Sequence, residues 1–197
     1  SYDPALTAPT WVSEETVADP KIVKSNDVIV RIGGAGVCRT DLHIIEGIWR
    51  PHTDPTGTGL LPLIMGHENA GWIEEIGPEV EGFKVGDPVI VHPKVTGGTC
   101  IACRRGHDMH GDGKFPGLDS NGGYGELLHT SGRNLIALPK TLAPKDVAAY
   151  ADAGLTAYRA AKKAAQQLLP DHSVVVIGAG GLGHIGIQVL LSLIHIS

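Results

Sequence analysis

Val28, Val30 and Ile32 recur at every second position from Asp27 to Ile32. That is the period of a half-buried strand, and Gly33, Gly34 and Gly36 are expected to break it. Leu63–Met65 leads into GHENAGWIEEIG, where Trp72, Glu74 and Ile76 suggest a second strand closed by Gly77-Pro78. Asp87–Val91, Gly122–Thr130 and Leu135–Leu138 are further strand candidates, separated by turn signals such as Gly86-Asp87 and Asn121-Gly122. The pattern predicts a sheet-rich first domain of about 150 residues. From Pro144 to Leu169 the chain turns rich in Ala, Lys, Leu and Gln, all good helix formers. Pro144 suits a helix start, Gly154 separates two helices, and the second is expected from about Leu155 to Leu169, before Pro170. Ser173–Ile177 is a continuous apolar run, as in a strand buried on both faces. Leu182, Ile185 and Val189 then fall on one face of a following helix.

Composition narrows the function classes. The 27 glycines and 13 prolines suit a loop-rich β fold better than a helix bundle. With 5% aromatic residues and a net charge of -5, neither stacking platforms nor a polyanion partner is expected, so nucleic acid is set aside. Three cysteines do not make a disulfide framework, and a reducing cytoplasm fits. The stretch Ser173–Ile196 lacks Asp, Glu, Lys and Arg, but glycines and histidines interrupt it, and no membrane span is expected.

VVVIGAGGLGHIGIQVLL places Gly178, Gly180 and Gly183 in a G-x-G-x-x-G pattern, with Gly181 and Leu182 inside it. Such glycines permit a tight turn, close approach of a pyrophosphate and close packing of helix on strand. The helix N-terminus then offers unpaired N–H groups to phosphates. A glycine-rich turn without a ligand is the plainer reading. The acidic residue that would hold a ribose 2′-hydroxyl falls about twenty residues later, beyond Ser197, so NAD and NADP stay undistinguished.

Cys38 lies in GVCRTDLH, His67 in GHE and Asp152 in ADAGLTAY. Taken singly, they read as a small buried hydrophobe, a core histidine and a helix cap. Taken together, GVCRTDLH, GHE and the later glycine fingerprint, in that order, resemble the medium-chain zinc-dependent alcohol dehydrogenases over residues 1–190. The resemblance implies an α/β protein: a β-rich GroES-like catalytic domain over residues 1–152, then the start of a Rossmann dinucleotide-binding domain over 153–197. It also implies one catalytic zinc on Cys38, His67 and Asp152, where the third ligand is more often cysteine. A carboxylate is an acceptable zinc ligand, and Cys-His-Asp carries the same two negative charges as the alcohol dehydrogenase set Cys2His.

Further roles follow from the same resemblance. Asp41 would orient His67 through its free ring nitrogen. Glu68 would stand outside the ligand set, its side chain opposite His67 as neighbours in an extended segment are. Thr40 and His43 would relay the alcohol proton to solvent, Arg39 would approach the pyrophosphate, and Thr156 the nicotinamide. The reaction implied is hydride transfer between a small alcohol, aldehyde or ketone and NAD or NADP, in a homodimer or homotetramer. The plainer readings are a turn residue for Asp41, a turn hydroxyl for Thr40, a surface histidine for His43, a solvated charge for Arg39 and a helix-start residue for Thr156. Trp49 and its loop would border the substrate cleft or simply pack.

Family members often carry a structural zinc lobe of spacing C-x2-C-x2-C-x7-C. Here Cys100 and Cys103 take the central positions, and Gly97 and Gly111 the outer ones. Two thiolates cannot close a tetrahedral site, so a metal-free loop is expected; recruitment of His107 and His110 is the alternative. Two other functions stay open: a zinc-free quinone reductase-like protein of the same fold, and a protein that keeps the fold without chemistry. LSLIHIS resembles translated sequencing-adapter read-through, so the tail from about Leu191 is expected not to be native. Family members also open with Met and a strand before Ser1, and the chain alone is expected to be inactive.

Overall fold

The computed structural model describes residues 12–48, 62–169 and 171–194. Trp49 and its loop lie outside the described residues. The alternating segment at Val28 forms β1 (Asp27–Gly36), an inner strand of a five-stranded antiparallel sheet. The other strands are β2 (Glu68–Ile76), β3 (Pro88–Val91), β6 (Leu127–Ser131) and β7 (Leu135–Ala137), in the order β6-β1-β2-β3-β7, so that β1 pairs with β2 and β6. Val28 and Val30 meet Ile73, Val89, Val91, Leu128 and Leu135 in one core. Ala70 and Ile90, which are cross-strand partners, pack against Ala148 and Ala151 in a second. That second cluster draws the segment after Pro144 across the sheet and fixes where Asp152 emerges.

Three expectations change in this domain. Gly33, Gly34 and Gly36 do not end β1, which runs on to Gly36 with a register irregularity between Ile32 and Gly34. They are glycines because other groups come too close for a Cβ. One at Gly33 would stand 2.6 Å from the Trp72 ring, one at Gly34 would stand 2.6 Å from Lys145 Cα, and one at Gly36 would strike the Glu68 carboxylate. Residues 122–126 are not strand but a bend leading into β6. Between Cys38 and Ile45, a short helix, α1 (Arg39–Ile45), follows β1 where no element was expected.

A lobe departs from the sheet between β3 and β6. It contains a small hairpin, β4 (Val95–Thr96) with β5 (Gly113–Lys114), and the one-turn helix α2 (Ile101–Arg104). Pro144 starts α3 (Pro144–Val147) as its first residue, where a missing N–H costs nothing. A 3-10 turn over Ala148–Ala151 continues into α4 (Ala153–Ala165). Gly154 therefore sits in the first turn of the second helix rather than between the two.

The run Ser173–Ile177 is extended but pairs with no strand among the described residues, against the expectation of a strand buried on both faces. Val175 is 83% exposed and Ile177 is 96% exposed. A strand needs neighbours to satisfy its backbone and cover its side chains, and here only one flank is covered. That flank is α4 with α5 (Gly181–Ile194), whose Gly183, Gly186 and Leu190 line the cleft with Ala157, Ala161 and Val176. Among the described residues, no helix is long and apolar enough to cross a membrane.

Candidate metal centre and cofactor fingerprint

Three chain turns converge at one end of the β1–β2 pair. After Gly36, Cys38 becomes the N-cap of α1: its sulphur accepts from the Thr40 N–H at 3.2 Å, and its own N–H donates to Asp41 Oδ2 at 2.9 Å. Gly66, at φ +95, turns the chain so that His67 arrives just before β2. Asp152 is the N-cap of α4, yet its side chain makes no capping hydrogen bond. The Thr156 hydroxyl donates to its Oδ1 at 3.4 Å, and its Oδ2 faces His67.

Cys38 Sγ stands 3.2 Å from His67 Nε2, and His67 Nε2 stands 3.7 Å from Asp152 Oδ2. Donors 2.0–2.3 Å from one tetrahedral zinc stand about 3.4 to 3.6 Å apart, so the two measured separations bracket the spacing that a shared ion requires. Cys38, His67, Glu68 and Asp152 each present a donor atom within 4.8 Å of the others. Glu68 departs from the expectation here. His67 precedes the strand, so strict alternation does not apply, and both side chains reach the same cluster. Glu68 Oε1 also accepts the Ala153 N–H at 3.1 Å, which ties the start of α4 to the start of β2.

Asp41 is 2% exposed and lies behind the imidazole. Its Oδ1 is 3.3 Å from His67 Nδ1, within ion-pair reach but off the line of a well-formed hydrogen bond. Its Oδ2 accepts from the Tyr124 hydroxyl at 3.0 Å, and that hydroxyl is equally close to the Gly36 carbonyl. Sequence reasoning missed Tyr124, because the Gly122–Thr130 segment was read as a strand. The signal available was a lone tyrosine among glycines. Gly66 must be glycine because a Cβ there would lie 2.6 Å from the Tyr124 ring.

The electrostatics are those of a cation site. Burial pushes His67 down, but Asp41 and then Cys38 outweigh it and raise the imidazole from 6.5 to about 9. Charges that hold a proton this firmly also favour a metal cation. Burial raises Asp41, but the neighbouring His67 imidazole and the hydrogen bonds from the Cys38 N–H and the Tyr124 hydroxyl win, and the carboxyl lies below its usual range. Burial dominates at Glu68 and holds it above its usual range, against the Ala153 N–H and His67.

The remaining expected residues fall into two groups. Thr40 and His43 are half-buried in α1, three positions apart and so on one face. Arg39 is exposed, and its Nε donates to His43 Nε2 at 3.3 Å. In the fingerprint, Gly178 adopts φ +98, the left-handed turn expected of the first glycine. A Cβ at Gly180 would meet nothing within 4 Å, whereas one at Gly183 would strike the Gly178 carbonyl. Gly181 starts α5, and Leu182 and Gly183 line the same cleft as Thr156.

In the lobe, Cys100 and Cys103 belong to no group of three or more potential ligands among the described residues. His110 Nε2 is instead 2.8 Å from Arg159 of α4, so the alternative with His107 and His110 does not assemble.

The alcohol dehydrogenase GroES-like domain model matches residues 24–140. The chain belongs to that family. That is the medium-chain, zinc-type alcohol dehydrogenase family, and the α/β fold is that of the family. It is 40% identical to an NAD-dependent alcohol dehydrogenase of Sulfolobus acidocaldarius, over 82% of this chain and 47% of that protein. It is 37% identical to a D-arabinose 1-dehydrogenase (NADP(+)) of Saccharolobus solfataricus, over 95% and 52%. The crystal structure of the alcohol dehydrogenase from Aeropyrum pernix superposes with a TM-score of 0.83 at 51% identity, over 91% of this chain and 52% of that one. The chain thus spans about half the length of these relatives.

Proposed function

We propose that this chain belongs to an enzyme that interconverts an alcohol and an aldehyde or ketone by hydride transfer with NAD or NADP. It uses one zinc held by Cys38, His67 and Asp152. The observation that carries the reading is the convergence of a sulphur, a nitrogen and a carboxylate oxygen, at 3.2 and 3.7 Å, from three separate turns. Their chemistry fits zinc, and two anionic donors offset its charge. The dehydrogenases named above support the reaction class, and their different cofactors leave NAD and NADP on equal footing.

Bound there, zinc would supply the Lewis acidity that makes an alcohol easier to deprotonate and a carbonyl easier to reduce. The nicotinamide would carry the hydride. The chain's own residues do the rest. Asp41 keeps the proton on Nδ1, so that Nε2 presents its lone pair. Tyr124 and the Cys38 N–H hold Asp41 in place. Glu68 fixes the start of α4 and with it Asp152. Thr40, whose hydroxyl both accepts and donates, and His43 pass the substrate proton toward solvent. Arg39 and the turn at Gly178–Gly183 receive the pyrophosphate, and Thr156 borders the nicotinamide. Cys100 and Cys103 contribute no second zinc. The protein works in a reducing cytoplasm as a homodimer or homotetramer.

Asp152→Ala tests the assignment. In the full-length enzyme, the variant is expected to lose zinc and turnover across a panel of small alcohols. Zinc content and rate at the parent's level would remove Asp152 from the site.

A further inference from the structure

The lobe that departs from the sheet holds two thiols that the reaction above does not use. Cys100 Sγ and Cys103 Sγ are 3.0 Å apart. Two thiolates on one tetrahedral zinc stand about 3.8 Å apart, because each lies 2.3 Å from the ion. The pair is thus closer than a shared metal would set it. Nor can a further ligand enter at position 111, since a Cβ there would lie 2.5 Å from Cys103 Sγ and 3.0 Å from Cys100 Sγ. Two of the polar side chains nearby, Asp108 and His110, are committed elsewhere. Asp108 binds Arg133 at 2.7 Å and Thr96 at 3.0 Å, and His110 faces Arg159. The contacts to Arg133 and Arg159 tie the lobe to the rest of the chain.

The two sulphurs are not equivalent. Cys100 is half-buried and reachable, whereas Cys103 is 5% exposed. We propose that Cys100 and Cys103 form a redox site, a dithiol that closes reversibly to an intramolecular disulfide with a small-molecule disulfide as oxidant. The Cys100 thiolate attacks one sulphur of the oxidant and releases one thiol, leaving a mixed disulfide on Cys100. Cys103 then gives up its proton and attacks the Cys100 sulphur, and the second small thiol leaves. Two protein thiols are oxidised and one small disulfide is reduced to two thiols. The order of events agrees with the shared hydrogen bond. The contact between the two sulphurs lowers the Cys100 pKa below the usual thiol value, and the same contact, with burial, raises Cys103. The proposal is independent of the metal at Cys38, which lies in a different part of the domain.

The test uses the intact protein and oxidised glutathione. After incubation the protein is denatured in chelator, alkylated and cut with trypsin, which leaves both cysteines on the single peptide from Val95 to Arg104. The expected peptide is unalkylated and lighter by two hydrogens, and dithiothreitol restores both thiols, while Cys38 is alkylated throughout. Cys103→Ser should trap a lasting glutathione adduct on Cys100. Cys100→Ser should form an adduct on Cys103 at least about tenfold more slowly. Full alkylation of the wild-type peptide after oxidant would overturn the proposal. So would equal adduct rates in the two variants, or a second zinc per chain that disappears in Cys100→Ser and blocks oxidation. The wild-type result stands without the variants, should either fail to fold.

Discussion

Asp41→Asn is a change of one atom type with a predictable consequence for the metal. The aspartate uses both oxygens: Oδ2 takes the Cys38 N–H at 2.9 Å and the Tyr124 hydroxyl at 3.0 Å, and Oδ1 faces His67 Nδ1 at 3.3 Å. Asparagine has one acceptor oxygen. If that oxygen keeps the Cys38 N–H, which caps α1, its NH2 must face His67. Two donors then oppose each other, and the imidazole proton is driven from Nδ1 to Nε2, the atom that the metal needs. Loss of such an outer partner weakens zinc by about 10- to 100-fold, which is ~1.4 to 2.7 kcal/mol. Competition for zinc against a chromogenic chelator reads the shift directly, with circular dichroism as the check on folding. A dissociation constant within about twofold of the parent's, in a folded variant, would refute the role given to Asp41.

Gly36→Ala should destabilise by about 1 to 3 kcal/mol in urea melts, because the new methyl group strikes the Glu68 carboxylate. An unchanged midpoint would show that β1 yields there. Ile73→Ala empties a site 1% exposed in the main core and should cost about 2 to 5 kcal/mol in the same assay. In the full-length enzyme, Thr40→Val should leave zinc bound and cut the rate by about 100-fold or more, the scale of a lost proton-transfer group; parent-level turnover would end the relay proposal. Asp27 sets an acid limit. Burial raises its pKa, but the His129 hydrogen bond and the N–H groups of Lys24 and Val23 outweigh that and hold it below 3.8. Its contribution is therefore full above about 3.8 and is lost as the pH falls through the lower folded value. Asp27→Asn should lower stability at neutral pH and flatten the decline in acid; parallel curves would contradict this.

Much of the candidate site was legible because it is written in short local motifs. Cys38, Asp41, His67 and Asp152 each sit at a turn, and the motifs around them, in their order, carried the family resemblance that grouped them. Three physical facts were not local. The glycines at 33, 34 and 36 read as punctuation, because their need for space comes from Trp72, Lys145 and Glu68 across the fold. Glu68 was set on the wrong side, because alternation holds within a strand and His67 stands just before one. Tyr124 was invisible because its partner, Asp41, lies 83 positions away. The run Ser173–Ile177 illustrates the converse: its composition suits a doubly buried strand, but burial needs neighbours on both flanks.

The central claim is that one sulphur, one imidazole nitrogen and one carboxylate oxygen share a zinc ion. X-ray absorption at the zinc edge of the metal-loaded protein tests it most directly. The account predicts a single sulphur scatterer at about 2.3 Å with nitrogen and oxygen at about 2.0 to 2.2 Å, and loss of the sulphur shell in Cys38→Ser. Two or more sulphurs around zinc, or a spectrum unchanged by that substitution, would place the metal elsewhere and contradict it.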